Sequence, residues 1–221
     1  MTTKRSYDDG CAGAHALDLV GERWALLIVR ELLLGPKRFT DLRTGLPGIS
    51  PNVLSQRLEE LERVAVVRRR KLAPPAGAWV YELTDWGKEL GPIIIELGRW
   101  GARSPWLPRD NPLSVDSLIL SLRTMFDPSA AAGFVASYEL RFGEDRFHAE
   151  VAGDRFNIAR GSAGQPDAII EADPNTLAAL AYDSRDLAEA VRSGDLNIEG
   201  DKSAVERFLT LFSLPEPAPA R

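Results

Sequence analysis

At 221 residues the chain has room for one large domain or two modest ones, and its apolar (44%) and charged (27%) fractions exclude global disorder. Its net charge of -5 conceals a split: residues 1–108 carry 16 Lys/Arg against 13 Asp/Glu, whereas residues 109–221 carry 11 against 19, so two modules with different partners are expected. One cysteine excludes an internal disulfide framework, and no apolar run is long enough to span a bilayer, so the expected setting is cytoplasmic with no membrane partner.

In chain order, a polar N-terminus without a signal-type apolar core leads to predicted helices at 12–20, 22–34 and 38–45. Gly35-Pro36 separates the second from the third, and Gly45-Leu46-Pro47-Gly48 forms a tight connector to a fourth helix at 51–63. Ser50 suits the N-cap of that helix and Pro51 its first position, where no N–H is needed. Leu54, Leu58 and Leu61 make one buried stripe. The opposite face shows Asn52, Ser55, Gln56 and Glu59, side chains able to hydrogen-bond base edges. Arg57 and Arg63 flank it, and Arg57 with Arg38 and Thr40 is placed for phosphate oxygens.

A basic strand, Val66 to Lys71, a Pro74-Pro75-Ala76-Gly77 turn and a returning strand, Trp79 to Leu83, complete a winged helix-turn-helix. Taken alone, Arg68-Arg69-Arg70-Lys71 reads equally well as a solvated face. After a capped amphipathic helix it reads as phosphate contact with double-stranded DNA, the alternative being a winged helix used for protein contacts. A long helix at 86–102 then carries Leu90, Ile93, Ile94, Leu97 and Trp100, a stripe too broad for a lone surface helix, so a second copy of the chain is the expected partner.

From about Cys11 to Trp100 the sequence resembles the HxlR family of bacterial winged-helix regulators. The resemblance rests on Ala16-Leu17-Asp18-Leu19-Val20-Gly21-Glu22-Arg23-Trp24, Arg30-Glu31-Leu32, Arg38-Phe39-Thr40-Asp41-Leu42, Ile49-Ser50-Pro51-Asn52-Val53-Leu54 and Tyr81-Glu82-Leu83-Thr84. It implies a homodimer on near-palindromic operator DNA, joined through the N-terminal segment and the helix from Trp86 to Trp100. Cys11 lies where some relatives carry a redox-sensing cysteine. Asp8 and Asp9 are expected to raise its pKa, and no second cysteine in the chain resolves a sulfenic acid, so sensing and structural roles both stay open.

Ser104-Pro105-Trp106-Leu107-Pro108-Arg109-Asp110-Asn111-Pro112 reads as a domain boundary. It divides a DNA-binding and dimerisation domain (1–104) from a linker (105–112), a second domain (113–214) and a Pro/Ala tail (215–221) expected to fray. After a helix at 115–126, period-two alternation around Tyr138, Leu140, Phe147 and Phe156 predicts an antiparallel meander. A strand at 168–172, helices at 174–182 and 184–193 ending on Gly194, a strand at 196–199 and a helix at 201–212 follow. The expected fold class is α+β: a winged helix-turn-helix domain followed by an antiparallel-sheet α+β sandwich.

That second half resembles the sterol-carrier-protein fold, on Asp167-Ala168-Ile169-Ile170-Glu171-Ala172-Asp173-Pro174 and Ser193-Gly194-Asp195-Leu196-Asn197-Ile198-Glu199-Gly200-Asp201. The resemblance implies a hydrophobic small molecule between sheet and helices, with Tyr138, Leu140, Phe147, Phe156, Leu177, Leu180, Leu187, Val191 and Phe208 around it. A filled core has the same periodicity. Neither His15 nor His148 has neighbours at metal-ligand spacing, and no nucleophile elbow or phosphate loop occurs, so no enzyme, metal or cofactor is expected. The expected function is a homodimeric transcriptional regulator. The alternative is an apolar-ligand carrier whose winged helix serves assembly.

Overall fold

The computed structural model describes residues 6–219. Two compact units divide the chain between Ile94 and Ile95.

The first unit begins with α1 (Ala12–Val20), α2 (Ala25–Leu32), α3 (Phe39–Gly45) and α4 (Pro51–Arg63). The expected start of α2 at residue 22 is corrected to Ala25, because Trp24 takes a left-handed conformation (φ 79°) that no helix can pass through. Strands β1 (Val67–Lys71) and β2 (Trp79–Leu83) form the antiparallel wing, pairing Val67 with Leu83 and Lys71 with Trp79. Its core gathers Ile28, Val29, Leu42, Leu46, Leu54, Leu58, Leu61 and Val67, all essentially inaccessible to solvent. Each such leucine contributes about 1.5–3 kcal/mol by leaving water.

The single helix expected at 86–102 is two: α5 (Asp85–Lys88) and α6 (Leu90–Ala102). Thr84 Oγ1 accepts the Gly87 N–H at 3.0 Å and so starts α5. Pro92 has no N–H to return to Lys88, and the ladder is interrupted there. Among the described residues no helix is long and apolar enough to cross a membrane.

The second unit holds α7 (Val115–Met125), β3 (Val135–Phe142), β4 (Asp145–Ala152), β5 (Arg155–Arg160), β6 (Ala168–Ala172), α8 (Pro174–Tyr182), α9 (Leu187–Ser193), β7 (Leu196–Gly200) and α10 (Lys202–Leu209). The five strands lie in the order β5-β4-β3-β6-β7. The meander β3-β4-β5 is antiparallel, but β6 runs parallel to β3, so the sheet is mixed rather than wholly antiparallel. The β4–β5 hairpin and the loop after it act as the long crossover that a parallel pair requires.

One face of this sheet is apolar. Tyr138, Leu140, Phe147, Ala149, Ile170 and Leu196 are buried on it, under α7 and α10. Gly194 ends α9 with φ 79°, the left-handed cap its position predicts. The tail expected to fray is tied down as far as it is described: Ala218 N–H donates to Arg103 O at 2.7 Å, and Arg103 Nε to Glu216 O at 3.3 Å. Residues 220 and 221 of that tail lie outside the described residues, as do residues 1–5 of the N-terminal segment.

Candidate nucleic-acid interface

Helix α4 owes its place to its two ends and its stripe. Ser50 Oγ accepts the Val53 N–H at 3.3 Å, Pro51 occupies the first turn, and Leu54, Leu58 and Leu61 anchor the inner side. Asn52, Ser55, Gln56 and Glu59, spaced i, i+3, i+4, i+7, all stand exposed on the outer side. Gln56 Nε2 rests on Glu60 Oε1 at 3.1 Å. At the head of α3, Arg38 and Thr40 are exposed, and Asp41 accepts the Arg38 N–H at 3.0 Å.

Arg57 departs from expectation. Its side chain is mostly buried, bonded to Glu60 and 3.4 Å from Glu22, so it braces the turn before α2 against α4 and is not presented to solvent. Glu60 is an i,i+3 neighbour within reach of helical spacing, whereas Glu22 meets the guanidinium only in the fold.

The wing's four cations also divide. Arg68 Nε and Arg70 Nε donate to the two oxygens of Glu82, at 2.7 and 2.6 Å. Burial opposes ionisation of Glu82, yet the hydrogen bonds from Arg70 and Arg68 outweigh it and hold the carboxyl below its usual range. Arg69 lies over the rings of Trp79 (4.7 Å) and Tyr81 (5.9 Å), while Lys71 is exposed beside them. Lys37 pairs backbone to backbone with Tyr81, at 2.9 and 2.8 Å, fastening the wing to the turn before α3. Its Nζ meets the fully buried Glu31 at 2.6 Å, which Arg30 also contacts at 2.9 Å. The signal for Glu31 in the sequence is an acid set within an apolar helical segment.

On α6 the five-residue stripe splits. Leu90 and Ile94 pack on the core of the first unit, leaving Ile93 (57% exposed), Leu97 (47%) and Trp100 (75%) open. Cys11 is exposed at the N-terminus of α1. The N–H groups of Ala14 and Gly13 lower its thiol pKa, opposite to the direction expected from Asp8 and Asp9. Asp9 is engaged with the Cys11 N–H at 2.9 Å.

In the second unit, Tyr138, Leu140, Phe147, Leu177, Leu180 and Phe208 are each buried, Phe156 and Leu187 are half-buried, and Val191 is exposed. Tyr138 and Phe208 rings lie 4.7 Å apart, and the Tyr138 hydroxyl donates to Ala204 O at 2.9 Å. An open cleft of about 480 Å³ in this unit is bordered by different side chains, among them Val115, Phe142, Glu171, Asp173 and Asp195.

Fold and outer helix face together define the class of a winged helix-turn-helix protein. The chain belongs to the HxlR-like helix-turn-helix family, whose model matches residues 19–110. Residues 111–218 match the alkyl sulfatase C-terminal family. YvaP of Bacillus subtilis, an uncharacterized HTH-type transcriptional regulator, is 44% identical over 85 residues, 38% of this chain and 79% of that protein. The HTH-type transcriptional regulator YodB of the same organism is 38% identical over 85 residues, 38% of this chain and 76% of that protein. Among solved structures, the inverting sec-alkylsulfatase Pisa1 from Pseudomonas sp. aligns at 20% identity and a TM-score of 0.45, over 48% of this chain and 17% of the enzyme.

Proposed function

We propose that this protein is a homodimeric transcriptional regulator that binds near-palindromic operator DNA. The observation that carries this reading is the exposed Asn52, Ser55, Gln56 and Glu59 row on a capped helix, with the wing's cations beside it. Arg38, Thr40, Arg69 and Lys71 are the phosphate contacts in this reading. Two copies meet through Ile93, Leu97 and Trp100 of α6, which sets two α4 helices about one helical turn apart on the duplex.

A hydrophobic small molecule acts through the second unit, whose sterol-carrier-like layout is supported by a five-stranded sheet with one apolar face under helices. Such a ligand changes DNA affinity by favouring one spacing of the α4 pair over another. Cys11, exposed and with its thiol pKa lowered, is the residue through which thiol oxidation would act.

A gel-shift titration against the intergenic DNA upstream of the gene tests the proposal. One preferred site with steep salt dependence is expected, and Gln56→Ala should cost about 1–3 kcal/mol there while sparing non-specific binding. Absence of binding at low salt, or binding with no preferred site, refutes it.

A further inference from the structure

The Tyr81-Glu82-Leu83-Thr84 block contains one residue that the winged-helix reading leaves without a task. Leu83 fills the core, Thr84 caps α5 and Tyr81 lies beneath Arg69. Glu82 is an acid placed in the middle of the basic wing. Arg68 is directly opposite it in the hairpin and Arg70 two residues on, so all three share one face, where the carboxylate receives both Nε–H groups. Arg69 and Lys71 lie on the other face with Trp79 and Tyr81. Among the described residues, no ion pair engages Arg69 or Lys71.

We infer that Glu82 sets the strength of the wing's sequence-independent grip on DNA: by holding Arg68 and Arg70 it removes them from the phosphate contacts, leaving the wing to hold DNA through Arg69 and Lys71. Non-specific affinity comes from counterion release, with a slope of about 0.9 in log K against log salt for each phosphate neutralised. Four free wing cations would contribute about 3.6 to that slope and two about 1.8. Fewer phosphate contacts weaken binding to all sequences about equally and make it less sensitive to salt. The carboxylate also carries its own charge toward the phosphates. Both arginine partners are well exposed (64% and 43%), so the pairs add little stability, and their effect is on the charge the wing shows. Arg69 instead is oriented by the Trp79 ring, itself half exposed.

This role rests on the DNA-binding reading, and its test separates the two. Full-length protein is titrated by fluorescence anisotropy onto a scrambled duplex of about 24 base pairs, between about 50 and 300 mM salt. Glu82→Gln should steepen the salt slope by about 1–2 and tighten binding about three- to tenfold near 0.1 M salt, while Glu82→Asp keeps the wild-type slope. Arg69→Ala should flatten the slope by about 1, and Arg68→Ala by less than half as much. A Glu82→Gln slope equal to wild type, or weaker binding, overturns the assignment. Should Glu82→Gln fail to fold by circular dichroism, equal flattening by Arg68→Ala and Arg69→Ala overturns it instead, and unequal flattening upholds it. Wild-type protein that leaves the duplex unbound even at the lowest salt removes the DNA-binding reading itself, and this role with it.

Discussion

Gly87 shows how little space a single position leaves. A Cβ there would come 2.1 Å from the carbonyl oxygen of Val66, a backbone atom that also accepts the Thr84 N–H at 3.1 Å. Gly87→Ala is therefore expected to cost about 1–3 kcal/mol, read as a lower denaturant midpoint; an unchanged midpoint would contradict this packing. Cys11 carries a prediction of a different kind. Because the Ala14 and Gly13 N–H groups favour its thiolate, the ionised fraction grows at lower pH than in a free cysteine. The rate of iodoacetamide alkylation should accordingly reach half its plateau at a lower pH than for a cysteine peptide measured alongside. A midpoint at or above the peptide's would show that Asp8 and Asp9 dominate after all. Neither feature is readable from residue order alone, since one depends on which carbonyl abuts the glycine and the other on where the thiol points.

Among elements, α4 was legible almost to the residue, because cap, proline and leucine stripe are all local signals. The wing was legible as a hairpin but not in its chemistry. Strand alternation assigns residues to faces, yet the run of cations hid the carboxylate on the neighbouring strand that binds two of them. Helix α6 shows the same gap: its stripe was visible, but packing against the first core takes Leu90 and Ile94 and leaves a narrower row. That row, Ile93, Leu97 and Trp100, lies on one side at i, i+4, i+7. Leu97→Glu, which puts a charge at its centre, should shift the protein from dimer to monomer in sedimentation velocity at micromolar concentration. A wild-type protein that already sediments as a monomer, or a variant that stays dimeric, would exclude this row as the interface.

For the whole molecule, residue order alone determined that a basic front half and an acidic rear half have separate patterns, helical with a wing and then period-two strands with helices. Those are short-range matters of periodicity, capping and turn chemistry, and they need no knowledge of distant partners. Tertiary structure decided what depends on residues far apart in the chain. It set β6 parallel to β3, bringing Ile170 beside Leu140, and gathered Phe156, Phe208 and Phe212 into one cluster of tilted and edge-on rings. It also gave Arg57 to Glu22, and Arg68 and Arg70 to Glu82. The physical reason is that a charge's availability depends on its nearest opposite charge, and in this chain only folding brings those pairs within bonding distance.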